Sequence, residues 1–408
     1  MRRHLLLVAS LALCSAMTPS GPASAASPPR PETITAGYEH TCALDTAGKA
    51  WCWGSDIEER LGNGPDTGTR AFAPGRVVDD HTFTSITAGG YHTCALDTVG
   101  KAWCWGWDSS GQLGVGLMVD RRNQDAPTPV VGDHTFTSIS AGAYHTCALD
   151  TVGKAWCWGA SSYGQTGTGG RMPTRWPAAV AGERTFRTID AGSYHTCALD
   201  TEGRAWCWGT DRYGQVGDGP ASQEDKRTPV RTADDRRYDT ISASRYHTCA
   251  LDTEGEAWCW GIDDSGQLGN GPANNKRRFA PVRTADGHSY TAITTGWYHT
   301  CATDTSGQAW CWGSDSTGQL GNGSADQADQ YWAAPAAGAL LTAFAAGLRH
   351  TCGLDTSGTA WCWGSDAYGQ VGDRFPDQAD KYGPVRVAGN RTYLVPGSPP
   401  VIPAADNR

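Results

Sequence analysis

The chain has 408 residues, with 33 Lys and Arg against 42 Asp and Glu and a formal charge of −9. That acidic balance excludes a strongly basic face, and with it tight binding to nucleic acid or to an anionic membrane. Charged residues make up only 18% of the chain, beside 52 Gly, 18 Trp and 15 Cys, which is too apolar and aromatic for disorder and too Gly-rich for long helices.

Met1-Arg2-Arg3-His4 is a short basic start, Leu5 to Ala16 an apolar run of 12, and Ala23-Ser24-Ala25 an A-x-A cleavage site. This order predicts a secretory signal peptide over 1–25, its apolar run too short to cross a bilayer as a helix. Two variants stay open. Arg2-Arg3 before Leu5-Leu6 resembles a twin-arginine signal, and Cys14 resembles a lipoprotein site, although Leu13 is the wrong size there. A Pro-rich leader follows over 26–32. The expected product is a soluble exported protein, extracellular, periplasmic or at the cell surface. Without Arg2 and Arg3 it has 31 Lys and Arg against 42 acids, a charge of −11.

Beyond Cys14 the cysteines form seven C-x9-C pairs: Cys42 with Cys52, Cys94 with Cys104, Cys147 with Cys157, Cys197 with Cys207, Cys249 with Cys259, Cys301 with Cys311, and Cys352 with Cys362. An even count at fixed spacing in an exported chain reads as disulfides. Zinc ligation would need C-x2-C clusters or His at ligand spacing, and neither is present. First cysteines recur at 52, 53, 50, 52, 52 and 51 residues, the period of propeller blades. The copies lie near 33–81, 82–134, 135–185, 186–237, 238–288, 289–340 and 341–395, with a tail over 396–408. Each reads A-G-x-Y-H-T-C-A-L-D-T-x-G-x-A-W-C-W-G, then x-D-x-x-G-Q-L-G, a variable loop and a Pro-Val segment.

In the second copy four strands are expected, near Thr82 to Thr87, Thr93 to Asp97, Lys101 to Trp105 and Pro129 to Val131. The segment Asp97-Thr98-Val99-Gly100-Lys101 suits a three-residue hairpin loop with Gly left-handed. That loop pairs Leu96 with Ala102, Ala95 with Trp103 and Cys94 with Cys104, placing the cysteines opposite each other as a non-hydrogen-bonded pair. The same register puts Trp103 and Trp105 on one face, and Leu96, Ala102 and the cystine on the other. Both faces are apolar, so both must be covered; a ring lets the Trp face of one sheet meet the sulfur face of its neighbour. For closure, Pro384-Val385-Arg386-Val387 is expected to complete the N-terminal sheet, with Arg391 to Val395 extending it or forming a tail. The expected fold is an all-β, seven-bladed β-propeller closed by N- and C-terminal strands.

The repeat resembles that of the regulator of chromosome condensation family, whose unit carries A-G-x-x-H-T-x-A-L, a hairpin turn, then W-G-x-N/D-x-x-G-Q-L-G. The resemblance spans about 33–390 and implies the family's seven-bladed fold; it says little of activity, because one fold hosts many functions. Export, acidity and cystines depart from the nucleotide-exchange role of the family's namesake. The plant ultraviolet-receptor branch carries G-W-R-H-T, approached only by Gly296-Trp297-Tyr298-His299-Thr300. Similar in compartment are secreted bacterial propellers that inhibit β-lactamases, which present aromatic rings around one mouth, though without these cystines.

By that resemblance a partner-binding surface falls on Tyr38, Tyr91, Tyr144, Tyr194, Tyr246, Trp297, Tyr298 and Arg349, because rigid amphipathic aromatics and Arg suit protein-binding hot spots. Packing of these rings between blades is the alternative. The seven histidines (His40, His92, His145, His195, His247, His299 and His350) recur in every copy, which argues for structure rather than catalysis. The hairpin aspartates, Asp45, Asp97 and their equivalents, are expected to cap their own turns. Asp56, Asp108, Asp211, Asp263, Asp315 and Asp366 recur after W-G-x, with Ser162 near that place in copy three, and do not match a calcium loop. The loops differ in charge, from basic Arg121-Arg122, Lys226-Arg227 and Lys276-Arg277-Arg278 to acidic Asp326-Gln327-Ala328-Asp329 and Asp377-Gln378-Ala379-Asp380.

The leading expectation is a secreted, disulfide-stapled propeller that binds another protein, acting as a recognition module or inhibitor of a secreted enzyme. It is expected to be monomeric and not an enzyme, without cofactor or metal. Two alternatives are a glycan-active hydrolase, lyase or lectin using acids such as Asp263 and Asp264, and a structural surface protein without a specific ligand.

Overall fold

The computed structural model describes residues 32–396 apart from 66–67, 79, 117–122, 221–222 and 273–276. The expected signal peptide, nearly all of the leader and most of the tail, along with Arg121, Arg122 and Lys276, lie outside these residues. The architecture is all-β, built from antiparallel four-stranded units. In the second unit the strands are Phe83–Ala88, His92–Asp97, Ala102–Gly106 and Gln124–Pro129, paired in sequence order. The continuous strand Gln330–Ala346 serves as outer strand of the sixth unit and inner strand of the seventh, merging the two into one seven-stranded sheet.

The hairpin register is as expected: Leu96 opposes Ala102, Ala95 opposes Trp103, and Cys94 opposes Cys104. The same register sets Cys197 opposite Cys207, Cys249 opposite Cys259, Cys301 opposite Cys311 and Cys352 opposite Cys362. These four pairs are disulfide-bonded as the spacing predicts, and so are Cys42 with Cys52, Cys94 with Cys104 and Cys147 with Cys157. Each cystine lies within its own unit, with Cα atoms 4.1 Å apart, the close spacing of a non-hydrogen-bonded pair. Gly100 takes φ +79°, and a Cβ there would stand 2.6 Å from the Phe136 carbonyl oxygen of the next unit. The hairpin aspartates do cap their turns. One oxygen of Asp97 accepts the Val99 and Lys101 amides while the other accepts Trp103 Nε1–H at 3.0 Å.

Unit packing follows the two faces. Cys42, Leu44, Ala50 and Cys52 of the first unit meet Phe83, Ile86, Ala95 and Trp105 of the second, all buried. The second Trp of each W-C-W triplet is fully buried, whereas the first is partly exposed. A buried relay joins each unit to the next. In the second unit His92 Nε2 lies 2.8 Å from Thr146 Oγ1, and that hydroxyl donates to the Gln112 carbonyl at 2.8 Å. Because the hydroxyl proton goes to a carbonyl, Nε2 must carry the imidazole proton. The histidines are therefore structural.

The outer strand differs from the sequence expectation. It runs Gln124–Pro129 and ends where Pro129 to Val131 was placed, because Val130 turns inward to be buried beside Leu113 and Trp158. Pro127 and Pro129 stand on the sheet's edge, where a missing N–H costs no ladder bond. Ring closure also differs in detail. Lys381–Arg386 pairs inside its own unit, Val385 opposite Cys362, because the first unit already has an outer strand in Arg70–Arg76. What completes the first sheet is the segment beyond: Tyr393 bridges Asp45, and Leu394 N–H donates to the Leu44 carbonyl at 2.8 Å. Those residues extend the inner line of Ile34–Ala36, so N- and C-terminal segments share the first sheet.

Candidate functional site

The tight turn between the first two strands positions the candidate surface. In the second unit Gly89 N–H donates to the His92 carbonyl at 2.8 Å, and Gly90 N–H reaches the Gly142 carbonyl of the next unit at 3.1 Å. A Cβ on Gly89 would lie 2.2 Å from that carbonyl, so Gly is what lets neighbouring turns touch. With the backbone pinned this way and His committed to the next unit, the residue before His points to the mouth.

The structure brings together seven of the eight expected site residues. Tyr38 is buried and reaches across the ring from the first unit to the fourth, its hydroxyl 3.0 Å from Ser193 Oγ. It fits there because Gly90 and Ala143 are small; a Cβ on Gly90 would be 2.8 Å from the Tyr38 ring. From Tyr38 a circuit of ring contacts runs to Tyr91 at 5.2 Å, on to Tyr144 at 5.5 Å, and on to Tyr194 at 5.5 Å. Arg245 bridges Tyr194 at 5.4 Å to Trp297 at 4.2 Å, and Trp297 returns to Tyr38 at 4.3 Å. Tyr246 and Tyr298 flank the bridge 5.5 Å apart. Apart from Tyr38, these aromatic rings are partly exposed. Arg349 is exposed and stands outside the circuit.

Burial is therefore divided. Tyr38 packs as a plug, while the other aromatics pack edge on edge yet keep a surface toward solvent. Burial raises the phenols of Tyr38, Tyr144 and Tyr298 above their ordinary value, so all three are neutral hydrogen-bonding groups.

Residues absent from the sequence expectation complete the collar. Arg245 fills the position that Trp297 fills one unit later, which aligning the copies exposes. Trp107, Tyr163 and Tyr213 come from the following loops and meet Tyr91 at 5.3 Å, Tyr194 at 5.4 Å and Tyr246 at 5.7 Å. Arg60 stacks 5.2 Å from Tyr91; it stands where the other copies have Gln.

Beneath Tyr38 lies a central cavity of about 230 Å³ whose lining includes Thr35, Thr87, Ser140, Asp190 and Ser242. Asp190 accepts from Ser140 Oγ at 2.8 Å and from the Ala243 amide at 2.7 Å. Glu32 lies in the same cavity, reachable by water yet enclosed by protein, and burial beside Asp190 pushes its carboxyl up to about 8.

Of the two acids named for catalysis, Asp263 holds a turn. Asp263 is buried, and one of its oxygens accepts the Leu268 amide at 3.2 Å, whereas Asp264 is exposed. Equivalent bonds join Asp108 to Leu113 and Asp366 to Val371. In copy three the position belongs to Ser161, not Ser162, with Ser161 Oγ 2.6 Å from Thr166 Oγ1. Among the described residues no group of three or more His, Cys, Asp or Glu is placed to hold a metal, and no helix is long and apolar enough to cross a membrane.

A profile described as the RCC1-like domain matches residues 15–336, and one described as the regulator of chromosome condensation repeat matches 341–370. The chain belongs to the RCC1-like domain family. The ultraviolet-B receptor UVR8 of Arabidopsis thaliana is 27% identical over 367 residues, covering 88% of this chain and 70% of the receptor. A mitochondrial RCC1 domain-containing protein of the same plant is 28% identical, covering 83% of this chain and 66% of its own length. Against human HERC6, a probable E3 ubiquitin-protein ligase, this RCC1-like chain spans only 22% of the relative. Among solved structures, yeast RCC1 superposes with a TM-score of 0.75 at 19% identity, covering 94% of this chain and 92% of that one. Human WBSCR16 gives 0.73 at 18% identity, covering 84% and 94%. Both share the propeller fold.

Proposed function

We propose that this RCC1-like propeller is an exported recognition module that binds another protein through its aromatic mouth, in the manner of an inhibitor or receptor. The observation that carries the reading is the collar from Tyr91 to Trp297: partly exposed rings, fixed by mutual contacts on a disulfide-stapled ring. Rigid aromatic surface loses little entropy on binding, which is why Tyr, Trp and Arg dominate protein-binding hot spots. Seven cystines suit an oxidising compartment, in line with the export signal read in the sequence. Yeast RCC1 is described as bound to Kap60, and as binding Gsp1p and histones; the reading carries over protein binding and none of those partners.

The test is capture from the native secretome with wild type and a Tyr144→Ala, Tyr194→Ala, Tyr246→Ala triple variant of matched stability. Partners retained by wild type and lost by the variant are expected. Identical partner sets would remove the mouth from the account.

A further inference from the structure

We infer that the mouth receives its protein partner through a carboxylate, an Asp or Glu side chain on an inserted loop held by the Arg245 guanidinium. This rests on the protein-binding reading and names the chemistry of the partner.

Arg245 lies 4.2 Å from the Trp297 ring, 5.0 Å from Tyr246 and 5.4 Å from Tyr194. Several other cations at the loop end of the ring are matched to acids: Arg175 is 3.5 Å from Asp108, Lys226 is 3.0 Å from Asp218, and Lys381 is 3.0 Å from Asp373. No such ion pair forms at Arg245 among the described residues; the Tyr246 side chain takes one hydrogen bond from the guanidinium, and the Tyr194, Tyr246 and Trp297 rings pack about it. Its Nε is buried without a hydrogen-bond partner. The positive charge is thus held among ring faces, with the remaining terminal N–H groups left to donate.

A carboxylate suits those terminal N–H groups as a charge-assisted acceptor. Rings on several sides displace water, which strengthens the pairing. The exposed parts of Tyr194, Tyr246 and Trp297 offer apolar surface to the residues flanking the acid, while the Tyr38–Ser193 contact closes the floor. Charge complementarity points the same way. In a chain of net charge −9, Arg245 brings a positive charge to the mouth without an ion pair among the described residues, whereas Arg60 there is offset by Glu39, Glu58 and Asp56.

The probe is a displayed library of disulfide-closed peptide loops selected on the wild-type protein. Clones that lose binding to the Tyr194→Ala, Tyr246→Ala variant define mouth binders. The inference expects these clones to carry Asp or Glu. Changing that acid to its amide, or Arg245→Gln in the protein, should weaken binding by about tenfold or more, with little further loss when both are changed. Thermal unfolding of Arg245→Gln should stay cooperative, with a small drop from the lost ring contacts, which shows that the fold is retained. Mouth binders without an acid, or equal binding to Arg245→Gln, overturn the inference while leaving the protein-binding reading intact. An absence of mouth binders overturns both. Oligogalacturonate binding that needs Arg245, with no acidic loop selected, reassigns the carboxylate to a glycan and also overturns it.

Discussion

His350 of the last unit hydrogen-bonds Thr41 of the first, Nε2 to Oγ1 at 3.0 Å, and Thr41 donates onward to the Gln370 carbonyl at 2.9 Å. The same bond joins His92 to Thr146 and His195 to Thr248. The closing interface is therefore built like the internal ones. Thr41→Val keeps the shape but strips two buried groups of their partner, at about 1–3 kcal/mol each. Thermal or urea unfolding should show comparable losses for Thr41→Val and Thr146→Val. A closing variant as stable as wild type would mean the ring does not depend on this bond.

Acid should unfold the protein steeply. Burial depresses His92, His145, His195, His247, His299 and His350 to about 3, below the usual value near 6.5. As pH falls through roughly 6.5 the unfolded chain takes up these protons first, so each histidine favours unfolding by about tenfold per pH unit down to about 3. Glu32, raised to about 8, Asp211 and Asp366, raised to about 7, and Asp263 and Asp315, raised to about 6, act oppositely. The folded chain holds their protons more tightly, an advantage complete once unfolded carboxyls protonate near pH 4. Urea midpoints should decline gently between pH 7 and 4.5 and sharply below 4; a rise below pH 4 would contradict this.

Each cystine closes a short hairpin loop. A paired Cys147→Ser, Cys157→Ser variant should lose about 2–3 kcal/mol while leaving the other six links in place on non-reducing peptide maps. Because both sulfur-bearing residues are fully buried, reductant without denaturant should leave all seven intact. Rapid reduction of the native protein would argue against the packing.

The hairpin aspartates bear at least three hydrogen bonds apiece. Asp150 accepts the Val152 and Lys154 amides and Trp156 Nε1–H, between 2.9 and 3.0 Å. Asp150→Ala should destabilise by about 1–2 kcal/mol, with Asp150→Asn milder, as read by denaturant midpoints. Equal stability of all three proteins would show that the turn needs no cap.

Much of this was legible in the sequence because the unit is written seven times. The C-x9-C spacing with Gly100 before Lys101 fixes the hairpin register, and that register dictates the cystines and the two faces. The outer strand was less legible, since Val130 reads equally well as ladder or core. Closure through Tyr393 and Leu394 was legible only as one of two readings of Arg391 to Val395, because no Gly-Tyr-His turn follows to mark them as the start of an inner strand. At the mouth, the position before His reveals the tyrosines, but Arg245 and Trp107 occupy variable positions whose meaning appears only when neighbouring turns are seen to touch.

The central claim is that binding occurs at the mouth and not at the hairpin end of the ring. It is tested by measuring the affinity of a captured partner for Tyr194→Ala and Tyr246→Ala, and for Val99→Ser and Val152→Ser, whose side chains stand 74% and 71% exposed at the hairpin tips. The expected result is a loss of about tenfold or more for each mouth variant and no change for the hairpin variants. The reverse pattern, with the hairpin variants weakened and the mouth variants unaffected, would contradict it.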